Sequence, residues 1–231
     1  MKIPGFKCRP TDPSMTFATF IEGESNRLAR AMAMLTCDKP GGSCNPLYIY
    51  GGRGLGKSHL IQAIANELAE RGRKVAFCTG QDALDEGAEI DGAIDAILID
   101  DICMLNSYAE QGFIRFTEKG GQLVLSGSES VESLPDSPLS RFIIREGKAA
   151  DIGLPEEELR VAILRSKAEV EGIALPDDAA EFLANHISKN IASLLGALKR
   201  VSAHSALAGQ KISRFSAIES LKDYIWIEKD D

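Results

Sequence analysis

The chain has 231 residues, of which 44% are hydrophobic and 26% charged, with a formal net charge of −8 at pH 7. That length suits one or two domains with a sizeable core, in the composition range of ordinary soluble globular proteins. The acidity argues against sequence-blind duplex DNA binding through the whole surface. No apolar run is long enough to span a bilayer, and the start Met1-Lys2-Ile3-Pro4-Gly5-Phe6 lacks a signal-peptide core, so a cytoplasmic protein is expected. Cys8, Cys37, Cys44, Cys78 and Cys103 are odd in number and form no Cys-x-x-Cys pair, which predicts reduced thiols. His59, His186 and His204 offer no zinc-ligand spacing.

Residues 1–15 hold Pro4, Gly5, Pro10 and Pro13 and read as an irregular arm. Phe17 and Phe20 follow, able either to pack on a nucleotide base or to fill a core. Ser25 is expected to cap a helix from Asn26 to about Thr36. A turn cluster, Lys39 to Pro46, leads to the strongest signal in the chain. The apolar run Leu47-Tyr48-Ile49-Tyr50 enters Gly51-Gly52-Arg53-Gly54-Leu55-Gly56-Lys57-Ser58-His59, and Leu60 to Leu68 continues as a helix. Strand, glycine-rich turn and helix in that order make a phosphate-binding P-loop, G-x-x-x-x-G-K-S/T. Its glycines let backbone N–H groups approach a phosphate, and the helix N-terminus adds partial positive charge. Lys57 would reach the outer phosphates, and Ser58 would hold Mg²⁺.

Val75 to Cys78 reads as a second strand, and Gln81 to Ala93 as a weakly patterned acidic stretch with room for a helical turn or two. Ala96-Ile97-Leu98-Ile99-Asp100-Asp101 is an apolar strand ending in two carboxylates. Ligands of open α/β sheets sit at strand C-termini, so the pair is expected to face the P-loop. Asp100 would support Mg²⁺, and Asp101 would orient the attacking water. Tyr108 to Thr117 is helical in pattern. Gln122 to Leu125 is another strand, with Ser126 and Ser128 at its polar tip. Ser140-Arg141-Phe142 follows a Pro-rich loop, with Ile143-Ile144 expected as the last strand. Arg141 reads as a solvated arginine or as an arginine finger toward a neighbouring subunit. From Leu154 the chain is all-helical in pattern. One helix from Pro155 has an apolar face of Leu159, Ile163 and Leu164, with Val170 near its end. A second opens at Asp177, with Ala180, Leu183, Ala184 and Ile187 on one side. A third runs from Ala192 to Leu207, and a fourth from Phe215 to Ile227 is capped by Ser213.

These motifs resemble the DnaA/Hda family of AAA+ ATPases. The resemblance is carried by Phe17-x-x-Phe20, Gly23-x-Ser25-Asn26-x-Leu28-Ala29, Asn45 to Leu60, Leu98-Ile99-Asp100-Asp101-Ile102 and Ser140-Arg141-Phe142. In the helical part it is carried by Glu158 to Leu164, Leu175-Pro176 and Gly196-Ala197-Leu198-x-Arg200-Val201. It implies an α/β P-loop AAA+ fold with a parallel sheet, followed by a small all-α lid. The expected divisions are residues 1–15 (arm), 16–151 (nucleotide-binding domain) and 152–231 (lid). It implies ATP or ADP with Mg²⁺ as ligands, an adenine near Phe17 to Gly23, and a polar sensor at Ser126 or Ser128 beside the γ-phosphate. It favours Arg141 as a finger acting in trans.

Three departures from the initiator pattern shape the expected function. The chain closes on Glu228-Lys229-Asp230-Asp231 just after the lid, without a helix-turn-helix. The stretch before Asp100 leaves no room for the initiator's extra helix. Ala192 stands where the resemblance puts the lid's sensor II arginine, and Arg200 lies two helical turns further on. A stand-alone module of the Hda type is therefore expected, one that binds ATP or ADP and regulates replication initiation through a DnaA protomer. The sliding clamp is a further partner of that type, but Met1 to Met15 lacks the glutamine and leucines of a clamp-binding peptide. Another AAA+ protomer, including a second copy of the chain, would fit the same finger. Hydrolysis is expected to be slow or partner-dependent. An autonomous ATPase, a helicase-loader-like module and a nucleotide-gated module without hydrolysis remain the alternatives.

Overall fold

The computed structural model describes residues 7–82, 90, 94–105 and 107–227. The acidic stretch expected between Gln81 and Ala93 lies mostly outside the described residues. The Cα framework divides into two compact units. The first comprises residues up to Phe20, Asn26–Gly52 and Gly56–Gly153; the second comprises Ile21–Ser25, Arg53–Leu55 and Leu154 onward.

The first unit is a parallel sheet flanked by helices. Its strands are β1 (Leu47–Tyr50), β2 (Val75–Thr79), β3 (Ala96–Asp100), β4 (Gln122–Gly127) and β5 (Lys148–Asp151), in the order β2-β3-β4-β1-β5. Every pairing is parallel, so all strand C-termini share one edge of the sheet. β1, β3 and β4 are almost wholly buried, which is why their sequences are continuous apolar runs rather than alternating ones. The helices are α1 (Arg27–Asp38), α2 (Lys57–Glu70), α3 (Ser107–Glu118) and α4 (Pro138–Glu146). One core layer gathers Tyr48, Ile97, Ile99, Phe113, Leu123 and Leu125. The order places β4 between β1, which feeds the P-loop, and β3, which carries the acids.

Two local expectations change. Ile143 and Ile144 belong to α4, not to a strand; the last strand is β5. Ser137 caps α4 by accepting from Ser140 N–H at 3.1 Å, and Pro138 fits the first turn. Leu139, Phe142 and Ile143 then fall on one buried helical stripe, leaving Arg141, Ile144 and Arg145 outward. At α1 the capping position is Asn26 rather than Ser25, and its side chain makes no capping bond.

The arm has no regular structure over 7–15 but is tied down along its length. Thr11 Oγ1 meets Asn66 Oδ1 at 2.5 Å, Asp12 N–H donates to Gln62 Oε1 at 2.9 Å, and Asn66 Nδ2 donates to the carbonyls of Asp12 and Met15.

The second unit packs α5 (Glu157–Val170), α6 (Asp177–His186), α7 (Ile191–Leu207) and α8 (Arg214–Ile227). Leu164, Leu183, Ala184, Ile187, Leu194, Leu198 and Val201 share its core. Leu159 and Leu164 are buried as the apolar face of α5 requires, but Val170 is 71% exposed, past the point where the helix faces its neighbours. Asn190 caps α7 through Ser193 N–H at 2.7 Å, and Ser213 caps α8 through Ser216 N–H at 3.2 Å. Arg160 donates through Nε to the Ala184 carbonyl at 2.7 Å and through Nη1 to the Pro155 carbonyl, joining α5 to α6.

Candidate functional site

The glycine-rich turn leaves β1 and becomes α2 at Lys57. Gly56 occupies the N-cap position at φ +108°, a conformation that side chains rarely adopt. With no side-chain cap there, the dipole and first-turn N–H groups of α2 favour an anion. Lys57 Nζ donates to the carbonyls of Gly51 and Gly52, each at 2.7 Å. These bonds hold the ammonium over its own loop, and a phosphate would draw it onto a stronger acceptor. Gly52, Arg53, Gly54 and Ser58 are exposed, whereas Leu55 is buried and anchors the turn.

Phe20 is buried to 6% exposure and lies edge-on to His59, with ring centroids 5.3 Å apart. A Cβ added to Gly56 would sit 3.4 Å from its ring. His59 Nε2 also lies 3.2 Å from Thr19 Oγ1 and from the Thr16 carbonyl. His59 and Phe20 thus brace the 16–20 segment against the start of α2. Phe17 is half-buried.

At the end of β3, one buried hydroxyl organises both acids. Ser126 Oγ donates to Asp100 Oδ1 at 2.6 Å and accepts from Asp101 N–H at 3.0 Å. Ser126 is fully buried on β4, opposite Ile49 of β1. Ser128 lies exposed just beyond β4. Asp101 takes φ +60°, and its carboxylate accepts from Cys103 N–H at 3.5 Å. Gly80 makes room for that turn: a Cβ there would come within 2.2 Å of the Asp101 carbonyl. Asp100 and Asp101 therefore differ in setting, the first hydrogen-bonded inward and the second exposed.

Arg141 is 69% exposed on the first turn of α4 and pairs with Asp136 through two 2.7 Å bonds from Nε and Nη2. The hydrogen bond and charge of Asp136 raise the arginine's pKa, while those of Arg141 lower the carboxylate's. The fork-to-fork geometry orients the guanidinium without burying it.

In the second unit, the tip of the turn meets the start of α7. The Gly54 carbonyl accepts from Ile191 N–H at 2.9 Å and from Ala192 N–H at 3.3 Å. Ala192 brings no charge to this contact. In the same unit the Glu156 carboxylate accepts from Glu24 N–H at 2.7 Å and Ser25 N–H at 3.4 Å. Burial pushes the Glu156 pKa up, but hydrogen bonds from its own backbone, Glu24 and Ser25 outweigh it, so the net shift is downward.

The structure thus brings Asp100, Asp101 and Ser126 together. Gly51, Gly52 and Lys57 form a second cluster, and Phe20 with His59 a third. Asp136 and Glu156 escaped the sequence reading. A carboxylate five residues before Arg141 is a faint helix-start signal, and nothing in the sequence announces a contact spanning 131 residues between Glu156 and Ser25.

Ser58 and Asp100 supply hard oxygen donors, the chemistry Mg²⁺ prefers. Among the described residues no group of three or more His, Cys, Asp or Glu could hold a metal ion. Such donors fit a Mg²⁺ that keeps waters and shares phosphate oxygens. No described helix is long and apolar enough to cross a membrane.

The family model for the bacterial DnaA ATPase domain matches residues 11–142, and that for the Hda lid domain matches residues 157–214. The chromosomal replication initiator protein DnaA of Dechloromonas aromatica is 37% identical over 92% of this chain and 50% of its own length. The chain spans about half the length of the curated relatives it matches. Domain III of the Thermotoga maritima replication initiation protein DnaA superposes with a TM-score of 0.83 at 29% identity, covering 94% of this chain and 99% of that one. AMPPCP-bound DnaA from Aquifex aeolicus superposes with a TM-score of 0.70 at 26% identity, covering 83% of this chain and 65% of that one. With strand order, P-loop and acid-tipped β3 in accord, the chain belongs to the DnaA/Hda family of AAA+ proteins, as a DnaA-type ATPase domain with an Hda-type lid.

Proposed function

We propose that the chain is a nucleotide-dependent regulator that binds ATP or ADP with Mg²⁺ and presents Arg141 to the ATP of a DnaA protomer. One contrast carries this reading. The P-loop keeps Lys57 and Ser58 at the start of α2 and β3 keeps the Asp100–Ser126 bond, while α7 meets the Gly54 carbonyl through the N–H groups of Ile191 and Ala192 and brings no cation to that contact. An intact cradle supports binding. A lid helix that opens without a phosphate-seeking charge supports slow turnover in cis. An exposed, oriented guanidinium on α4 suits action on a neighbour's nucleotide, where an arginine finger can contribute ~10³-fold or more in rate. AMPPCP binding by the Aquifex relative supports the choice of an adenine nucleotide. The bound Mg²⁺ would supply charge neutralisation between the phosphates. The chain's own Ser58 and Asp100 would hold it, and Asp101 would orient water.

The test uses two variants. Lys57→Ala is expected to lose ATP and ADP binding by equilibrium fluorescence titration. Arg141→Ala is expected to keep that binding and to lose stimulation of ATP hydrolysis by purified DnaA. Equal stimulation by Arg141→Ala would remove the finger role, and unchanged affinity in Lys57→Ala would remove the cradle.

The Ser126 hydroxyl joining Asp100 to the Asp101 backbone favours a second reading, an autonomous slow ATPase. Turnover by the purified chain without DnaA, abolished by Asp101→Asn, would select it.

A further inference from the structure

The arm and the edge of the sheet bring two cysteines together. β2 is an outer strand, paired on one side with β3. On its other side Arg9 N–H donates to the Phe77 carbonyl at 2.8 Å, and Lys7 N–H donates further along to the Asp82 carbonyl at 3.3 Å. The arm therefore runs against β2 in the opposite sense. In antiparallel pairing the Arg9–Phe77 bond marks a hydrogen-bonded pair. One residue further in that register Cys8 falls opposite Cys78, a pairing that ideal antiparallel geometry would set about 4.5 Å apart at Cα. Beyond it the arm leaves the register, Lys7 bonding to Asp82 past the end of β2 at Thr79. Disulfides form across Cα separations of about 4.4–6.8 Å.

Side-chain packing agrees with this register. Cys78 is fully buried in the core layer with Ala76, Ile97 and Phe113, and half-buried Cys8 packs against that same layer. Charges pin the arm in place. Asp82 accepts from Thr79 Oγ1 at 2.6 Å and pairs with Arg9 Nε at 2.5 Å and Lys7 Nζ at 3.8 Å.

We propose that Cys8 and Cys78 are a modification site, a cross-strand thiol pair that reacts with a small disulfide and closes to a reversible bond fastening the arm to β2. This does not depend on the nucleotide reading. Cys8 is the entry point, since Cys78 is shielded. The Cys8 thiolate attacks one sulfur of oxidised glutathione, the glutathione S–S bond breaks, and one glutathione leaves as thiolate and takes up a proton. Cys78 then gives up its proton and attacks the Cys8 sulfur of the mixed disulfide. The second glutathione leaves and is protonated. Two protein thiols are oxidised to one disulfide, and one oxidised glutathione is reduced to two glutathiones. Burial pushes the Cys78 thiol up to about 12 and raises that of Cys8 as well, so the exchange is slow and proximity stands in for acidity. Because Thr11, Asp12 and Met15 tie the same arm to α2, the bond would fix the arm at both of its anchorages.

The test takes the full chain carrying Cys103→Ser, which removes an exposed competing thiol. It is equilibrated with excess oxidised glutathione at mildly alkaline pH and mapped by non-reducing peptide mass spectrometry. The expected product joins the peptides of residues 8 and 78 with loss of two hydrogens, reverts with dithiothreitol and raises the thermal midpoint. Adding Cys8→Ser or Cys78→Ser abolishes it. Hydrogen exchange of the Arg9 amide in the reduced protein checks the register and is expected to show protection. Glutathione retained on Cys8 at equilibrium would overturn the proposal, as would pairing of either thiol with Cys37 or Cys44, both thiols remaining reduced, or an unprotected Arg9 amide.

Discussion

Replacing Ser126 by alanine tests whether one hydroxyl holds the acid pair. Ser126 is fully buried and makes a 2.6 Å bond to the Asp100 carboxylate and a 3.0 Å bond from Asp101 N–H. A hydrogen bond to a charged group contributes about 1.5–3 kcal/mol and a neutral one about 0.5–1.5 kcal/mol. Asp100 is half-buried and Asp101 exposed, so water replaces part of what the hydroxyl supplies. The expected net loss is about 2 kcal/mol. For a protein of this size each kcal/mol moves the thermal midpoint by roughly 2–4 °C, giving a fall of roughly 4–8 °C. Differential scanning calorimetry reads this directly, and the transition of the α/β unit is the one that should move. Tryptophan emission would not serve, because the single tryptophan, Trp226, lies in α8. Ser126→Thr keeps the hydroxyl and should recover much of the loss. A midpoint within one degree of the parent in Ser126→Ala would refute the claim that this bond organises the acids.

Two further outcomes follow from the same geometry. Gly80→Ala forces a Cβ to 2.2 Å from the Asp101 carbonyl, which is backbone and has little room to yield. A loss of more than about 2 kcal/mol in urea titration is expected, and a neutral result would mean the 79–82 turn relaxes freely. Glu156 has a pKa held below its ordinary 4.5, so its ionised form stabilises the fold above that pH. That stabilisation is lost as pH falls below 4.5 through the lowered value. Glu156→Gln should therefore be less stable than the parent at neutral pH, and the difference should shrink on acidification. Parallel pH–stability curves would contradict the clasp on Glu24 and Ser25.

The P-loop, the acid-tipped strand and the all-helical final third were legible because each is a local pattern. Gly51 to Ser58 between an apolar run and a helix needs no distant residue to be read, and the fully apolar Ala96 to Ile99 announces a strand buried on both faces. Ile143-Ile144 is a short apolar pair whose period fits strand and helix alike, so sequence alone points to the wrong element there. The cap at Ser137 and the i, i+3, i+4 burial of Leu139, Phe142 and Ile143 decide it as helix.

What the sequence by itself determined is the fold family, with its P-loop and its acid-tipped strand, since local spacing and burial patterning suffice for these. Tertiary structure decided the pairings around them: Ser126 joining Asp100 to Asp101, Asp136 orienting Arg141, and Glu156 clasping Glu24 and Ser25. Asp136 and Arg141 are neighbours at the start of α4, whereas the others link segments far apart in the chain and depend on distances and directions that exist only once the fold has brought them together. Hydrogen bonds have narrow geometric limits, and a one-dimensional pattern does not encode which donor will meet which acceptor.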